Sequence, residues 1–335
     1  MTQAFGPTLF LENASGTEVV VCLDIANAFS SMSRKAACEA LMRSTDESIR
    51  ALAQIFHAAN FASPRAKGID VIIQEGGGQG CPLMPGVFAE VYLQALLNLK
   101  KKDQVKGVLA FLDDTTVVGR LENVLPAVIE LAEEIKKLGL KLNLGKCVII
   151  PKDAKVVRSA MVELSAKDGR YANFTIATMP EADDKTAVWG EGIGAMIAGT
   201  PVGDDRFIHY QMDRVSREAL ADTLHVTGMV KGSSEQAAAA ILRISAHSKL
   251  THLAMTVRPT ISELYLEMYN RALIEEYLRL TGIRAFAEDL ETVEEAQLLW
   301  YRLKSSQRVG GAGMSDLEEA ANQHYVCLLY TSDAA

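Results

Sequence analysis

The chain reads as an α+β protein, an antiparallel sheet with helices gathered on one face followed by a mainly helical region. Three observations lead there. Short apolar or β-branched runs alternate with amphipathic runs through the first 150 residues. Two of those runs flank the acid pair Asp113-Asp114, so they form a hairpin and lie antiparallel. From Asp204 onward the apolar spacing turns helical, with long spans and no strand pattern.

The elements follow in order. Glu18 to Leu23 is a strand, and Ser33 to Met42 and Asp46 to Asn60 are helical in pattern. Asp46-Glu47 place negative charge in the first turn of the second helix, where its dipole favours it. A strand over Asp70 to Gln74 precedes a glycine loop, and Pro85 starts a helix running to about Leu99. The hairpin of residues 105–119 comes next. Glu122 to Leu138 repeats apolar residues at helical spacing and stops at Gly139. Lys146 to Ile150 is a strand ended by Pro151. A second hairpin is expected at the turn-rich cluster Lys167-Asp168-Gly169-Arg170. Helices are expected over Phe207 to Leu224, Ser234 to Ser248 and Ile261 to Thr281, with a bend at Arg258-Pro259. No internal repeat of fixed period is present.

The acids carry the chemistry. Asp113 and Asp114 sit at a hairpin tip, where like charges repel. Aspartate also favours turns by bonding its own backbone, so the pair alone reads more readily as a turn than as a metal site. A third acid, Asp24, ends the strand Val19-Val20-Val21-Cys22-Leu23. Three carboxylates on adjacent strand ends could hold two magnesium ions, the arrangement used for in-line nucleotidyl transfer. The glycines Gly76 to Gly78 before Gln79-Gly80 suit a loop lying close to a nucleotide. A dinucleotide-binding loop does not fit there, because Pro82 and Pro85 follow and no acid closes a second strand about 20 residues on.

The order of these segments resembles a known family. Leu23-Asp24-Ile25-Ala26-Asn27-Ala28-Phe29-Ser30 is similar to motif A of reverse transcriptases, especially those of non-LTR retrotransposons. Gly77-Gly78-Gln79-Gly80-Cys81-Pro82-Leu83, with Pro85 and Phe88, resembles their motif B. Phe111-Leu112-Asp113-Asp114 resembles motif C, and Leu138 to Cys147 resembles motif D. Downstream, Gly199-Thr200-Pro201-Val202-Gly203 resembles the segment near the primer grip, and Gly310 to Met314 resembles a glycine-rich element found after the polymerase. The likeness is specific over roughly residues 18 to 150.

The resemblance implies a polymerase palm over residues 1–203, with partial fingers at most, and a thumb- or connection-like region over 204–326. It implies RNA-directed DNA synthesis on an RNA template, with a DNA primer, deoxynucleoside triphosphates and two Mg²⁺ or Mn²⁺ ions. Asp24, Asp113 and Asp114 would be the metal ligands. Phe29 would be a flat floor under the sugar that disfavours a 2′-hydroxyl, Gln79 and Gly80 would line the nucleotide, and Lys146 would be the general acid for pyrophosphate. From the residues alone, Phe29 is equally an ordinary core residue at a strand-to-helix junction. Lys146 alone reads as a solvated residue. Asp222, His225, His247 and His252 lie in amphipathic helix and are expected to be structural.

Composition adds bounds. The net charge of −8 is the wrong sign for a protein that gains affinity by neutralising phosphates. The imbalance is uneven: residues 1–150 hold 15 basic and 16 acidic residues, and the remainder holds 19 and 26. Five scattered cysteines with no C-x-x-C pair argue for a reduced intracellular protein, and the family adds the nucleus as a location. No apolar stretch is long enough for a transmembrane helix, and no membrane partner is expected. The residues before Asp24 include no Lys or Arg, so the fingers that hold the triphosphate are expected to be absent or mostly so and the activity weak or absent. Residues 327–335 resemble the translation of a sequencing adapter and are set aside as a non-native tail. Two other readings stay open: a palm-fold remnant that binds nucleic acid or protein without catalysis, and another palm-type nucleotidyl enzyme such as a nucleotide cyclase.

Overall fold

The computed structural model describes residues 2–58, 75–78, 80–102, 105–177, 192–246, 248–281, 298, 301–309, 311–314, 316–319, 321–323 and 325–326. The expected strand at Asp70 to Gln74, residue Gln79, His247, Gly310 and the tail 327–335 lie outside these residues. The chain divides into two compact units, Gly6–Ala177 and Thr178–Ala335 together with Met1–Phe5. The segment 194–203, expected with the palm, therefore clusters with the second unit.

The first unit is built on a five-stranded sheet of order β2-β3-β1-β4-β5. Its strands are β1 (Glu18–Leu23), β2 (Val105–Phe111), β3 (Asp114–Arg120), β4 (Val148–Pro151) and β5 (Thr175–Ile176). β1 is central, antiparallel to β3 on one side and to β4 on the other. Its alternation decides the faces: Val19, Val21 and Leu23 point into the core with Val117 of β3, while Val20, Cys22 and Val118 take the other face. The very short β5 joins β4 in parallel, so the sheet is mixed rather than wholly antiparallel.

Helices α3 (Arg34–Arg43), α4 (Glu47–Ala58), α5 (Met84–Lys100), α6 (Leu121–Lys136) and α7 (Ala154–Lys167) contribute to one continuous core against the inner face. Phe88, Leu121, Leu125, Leu131 and Ile135 are fully buried there. The helix α1 (Thr2–Asn13) sends Gly6 against Leu109 and Phe10 against the Lys106 ammonium, which puts residues 6–13 over the second face.

Two expectations are corrected. The hairpin expected at residues 167–170 is instead the end of α7 followed by a 3-10 turn over Gly169–Asn173. Asp153 caps α7 by accepting from the Lys155 and Val156 amides, and Val157 and Met161 bury at helical spacing. The turn-rich cluster ends a helix instead of joining two strands, because the cap and this packing override the turn signal. The expected strand Lys146–Ile150 begins only at Val148, because Leu144–Lys146 forms a 3-10 turn.

The second unit contains α8 (Asp205–Lys231), α9 (Glu235–Ile241), a π-helical turn over Leu242–Ala246, α10 (Thr251–Thr256) and α11 (Pro259–Leu280). Arg258-Pro259 separates α10 from α11, as the proline requires. A hairpin of β6 (Gly194–Ile197) and β7 (Thr200–Gly203) precedes α8. Its two-residue loop, Ala198-Gly199, has φ of 47° and 79°. Positive φ at both central residues is the signature of the turn type whose twist matches a hairpin. The loop is held by His252, whose Nε2 lies 3.0 Å from the Ala198 carbonyl and 3.0 Å from Thr200 Oγ1. That histidine is structural, and Asp222 faces Lys249 at 3.8 Å.

Candidate active site

Asp24 leaves β1 at the point where a second segment takes hold of its backbone. The Asn143 amide donates to the Asp24 carbonyl at 2.8 Å, and the Ala26 amide donates to Lys141 at 2.9 Å. Ile25 forms an isolated antiparallel bridge with Leu142. The segment resembling motif D thus acts as a clasp on the segment resembling motif A. A second contact follows at Ser33, whose amide donates to Leu138 at 2.8 Å.

Asp113 and Asp114 occupy the tip of the β2–β3 hairpin. Phe111 and Asp114 form the last pair, leaving Leu112-Asp113 as a two-residue turn. Leu112 takes φ of 59°, a left-handed conformation that costs a leucine about 1–2 kcal/mol. The strain sits on the residue next to the acid pair. The register then brings the third acid in: Leu23 pairs with Thr115, so the next step along both strands sets Asp24 across from Asp114. By strand alternation both occupy the face of Cys22 and Thr116.

The electrostatics agree with that placement. The Asp114 carboxyl is held above its usual range, first by partial burial and then by the negative charges of Asp113 and Asp24. Nearby thiols respond to the same acids. Burial pushes Cys22 up to about 12, with Asp114 adding to it. Burial pushes Cys147 up to about 11, with a hydrogen bond to the Asp24 backbone drawing it down and the Asp24 charge pushing it up. A carboxylate that feels the negative charge of two neighbouring carboxylates, as Asp114 does, suits a hard divalent cation such as Mg²⁺ or Mn²⁺. Among the described residues, no group of three or more His, Cys, Asp or Glu side chains is gathered closely enough to hold a metal ion. The donor chemistry and the charge therefore fit a cation, while the side chains have not converged into a cage.

Phe29 lies in the short helix α2 (Ala28–Ser31), entered through Asn27 in a left-handed conformation. Its ring is half-buried and meets Phe88 edge-on, with centroids 5.4 Å apart. The glycine loop is seated on the same turn: Gly77 donates to the Phe29 carbonyl at 2.9 Å and Gly76 to Met32 at 2.7 Å. Any Cβ on Gly76 would stand 2.4 Å from the Phe29 carbonyl oxygen, and one on Gly77 would stand 2.1 Å from the Met84 sulfur. Gly80 differs, with φ of 91° and open space where a Cβ would go. It is needed for its backbone conformation, not for room.

The structure therefore brings together Asp24, Asp113 and Asp114, and sets Phe29 and the glycine loop on the turn that follows Asp24. Lys146 is exposed on the 3-10 turn that follows the Asn143 clasp, close in the chain to Asp24's hydrogen-bond partner. Sequence reasoning missed Asn143, Tyr92 and Thr115. Thr115 Oγ1 donates to the Tyr92 hydroxyl at 3.2 Å, directly beneath the acid step, and both residues are buried. The only available signal was the spacing of Phe88 and Tyr92, four apart on one apolar helix stripe.

Comparison with known proteins gives one family match. Residues 3–159, which carry all four motif-like segments, match the family described as reverse transcriptase (RNA-dependent DNA polymerase). No curated protein matches the chain. Among solved structures, the chain is similar to apo telomerase from Candida tropicalis at 10% identity, covering 95% of this chain and 55% of that one, with a TM-score of 0.40. A telomerase from Candida albicans, in complex with a fragment of telomeric RNA, matches at 10% identity over 90% of this chain and 53% of that one, with a TM-score of 0.39. The Candida tropicalis enzyme truncated from its C-terminal domain matches at 15% identity over 44% and 33%, with a TM-score of 0.33. The chain thus spans about half of these telomerase chains or less.

Proposed function

We propose that residues 18–150 are the palm of an RNA-directed DNA polymerase of the non-LTR retrotransposon type. On this reading an RNA template, a DNA primer and deoxynucleoside triphosphates are its substrates. Asp24, Asp113 and Asp114 would hold two Mg²⁺ or Mn²⁺ ions. Bound there, the ions would lower the pKa of the primer 3′-hydroxyl and neutralise charge on the triphosphate. Phe29 lies under the incoming sugar and excludes a 2′-hydroxyl by contact. Gln79 and Gly80 border the base and sugar, and Lys146 protonates the departing pyrophosphate. Residues 204–326 serve as a thumb or connection.

The observation that carries the reading is the step across β1 and β3. It sets Asp24 opposite Asp114 at the strand ends, where the three acids share one field. The family match over residues 3–159 supports the reaction class. A second reading is a palm-fold remnant that binds nucleic acid or protein without catalysis: the net charge of −8 opposes the phosphate binding that polymerisation needs, and no metal cage is gathered among the described residues.

Primer extension separates these. The full chain is incubated with Mn²⁺, deoxynucleoside triphosphates and a primer on an RNA template, beside an Asp24→Asn variant. Template-dependent incorporation that the variant loses is expected. Cyclic nucleotide formed from triphosphate without a template would replace the reading with a cyclase. Binding of the template-primer with no incorporation at any enzyme concentration would favour the non-catalytic palm.

A further inference from the structure

The site has two working parts, the Phe29 ring on α2 and the acid step where β1 and β3 end, and a series of side chains on one helix joins them. Phe88, fully buried on α5, meets the Phe29 ring edge-on at 5.4 Å. One turn later Tyr92, 1% exposed, stacks on Phe88 at 5.5 Å with its ring tilted by 40°. The Tyr92 hydroxyl then accepts from Thr115 Oγ1 at 3.2 Å. Thr115 follows Asp114 in β3 and pairs with Leu23, the residue before Asp24. One helix face thus touches the ring on which a sugar would rest and the backbone step that carries two of the acids.

We propose that Phe88 and Tyr92 are positioning residues that hold the aromatic floor and the acid step of this site as one unit, an inference that rests on the palm reading above. Edge-to-face ring contacts fix orientation more tightly than aliphatic packing does, because ring quadrupoles favour that angle. The Thr115–Tyr92 bond fixes the height of the acid step in a place where an unmade bond is costly. Neither residue contacts substrate; each acts through a neighbour. Burial pushes the Tyr92 phenol up to about 12, so the hydroxyl keeps its proton throughout the working pH range.

The two ends of the series make separable predictions. Tyr92→Phe removes the hydroxyl and keeps the ring, and Phe88→Leu keeps apolar bulk and removes the ring edge. In the full chain, Mn²⁺ affinity is measured by titration in the presence of dATP, and sugar selectivity is measured as the ratio of the dissociation constants for ATP and dATP. Tyr92→Phe should weaken Mn²⁺ binding about three- to tenfold, the equivalent of one net hydrogen bond, and leave selectivity within about twofold. Phe88→Leu should lower selectivity about three- to tenfold, the scale of one aromatic pair, and leave Mn²⁺ affinity within about twofold.

Leu131→Ala, a cavity in α6 outside the ring series, gives the pattern of plain destabilisation. If either variant moves both quantities together, as Leu131→Ala does, or moves neither, the positioning role is overturned while the palm reading stands. A wild-type chain that binds neither Mn²⁺ nor dATP overturns the palm reading itself, and the inference with it.

Discussion

Replacing Gly76 by alanine tests whether the glycine loop is seated on the turn that carries Phe29. Gly76 has φ of 61°, and its missing Cβ would stand 2.4 Å from the Phe29 carbonyl oxygen and from the Ser30 carbonyl. Both are backbone atoms and cannot swing aside. The left-handed conformation alone costs alanine about 1–2 kcal/mol. Relieving the clash lifts the loop and breaks the bonds from Gly76 to Met32 and from Gly77 to Phe29, each worth about 0.5–1.5 kcal/mol net. Together these predict a loss of about 2–5 kcal/mol from the first unit. Two companions calibrate it. Gly80→Ala meets open space at φ 91° and should cost only the conformational part, about 1–2 kcal/mol. Gly86→Ala, exposed near the start of α5 with open space around it, should gain up to about 0.5 kcal/mol. Urea denaturation followed by circular dichroism gives all three. If Gly76→Ala costs no more than Gly80→Ala, the loop does not rest on the Phe29 turn and the assembly of the site is wrong.

Other expectations concern charge, hydrogen bonding and strain. The Asp114 carboxyl is raised in the folded state, so the stability it contributes is present below its unfolded value and is lost as pH rises through the folded one. Asp114→Asn should therefore stabilise the metal-free protein at pH 7, with the gain fading as pH falls towards about 4; denaturant midpoints across that range check it, and a variant less stable at pH 7 would contradict it. Thr200 is fully buried, donating to Thr256 and facing His252, so Thr200→Val should destabilise the second unit by about 1–3 kcal/mol in thermal melts. Leu112→Gly relieves a left-handed leucine and should be neutral to stabilising by about 1 kcal/mol, whereas Leu112→Val should cost more than the wild type bears.

Much of the first unit was legible in the chain because its signals are local. The apolar run at Glu18–Leu23, the acids between two β-leaning runs, and the proline and glycine punctuation of α5 and α6 each act within a few residues. The three acids were legible as a set because strands end where they stand. What could not be read was whatever depends on distant pairing. Asn143 reaches Asp24, and Tyr92 reaches Thr115, across separations that no period encodes. The two-residue β5 has no pattern of its own and exists only because β4 offers an edge. The misreading at residues 167–170 came from weighing a turn-rich cluster over the Asp153 cap, which decides the helix.

Whether Asp24, Asp113 and Asp114 form a cation site for nucleotide chemistry is decided by titrating Mn²⁺ into the chain and into its Asp113→Asn variant, with and without a deoxynucleoside triphosphate. Binding should tighten with nucleotide and fall about tenfold or more in the variant, the scale of one lost charged ligand. Binding that is absent in both conditions, or unchanged by Asp113→Asn, would make the acids turn residues and contradict the cation site.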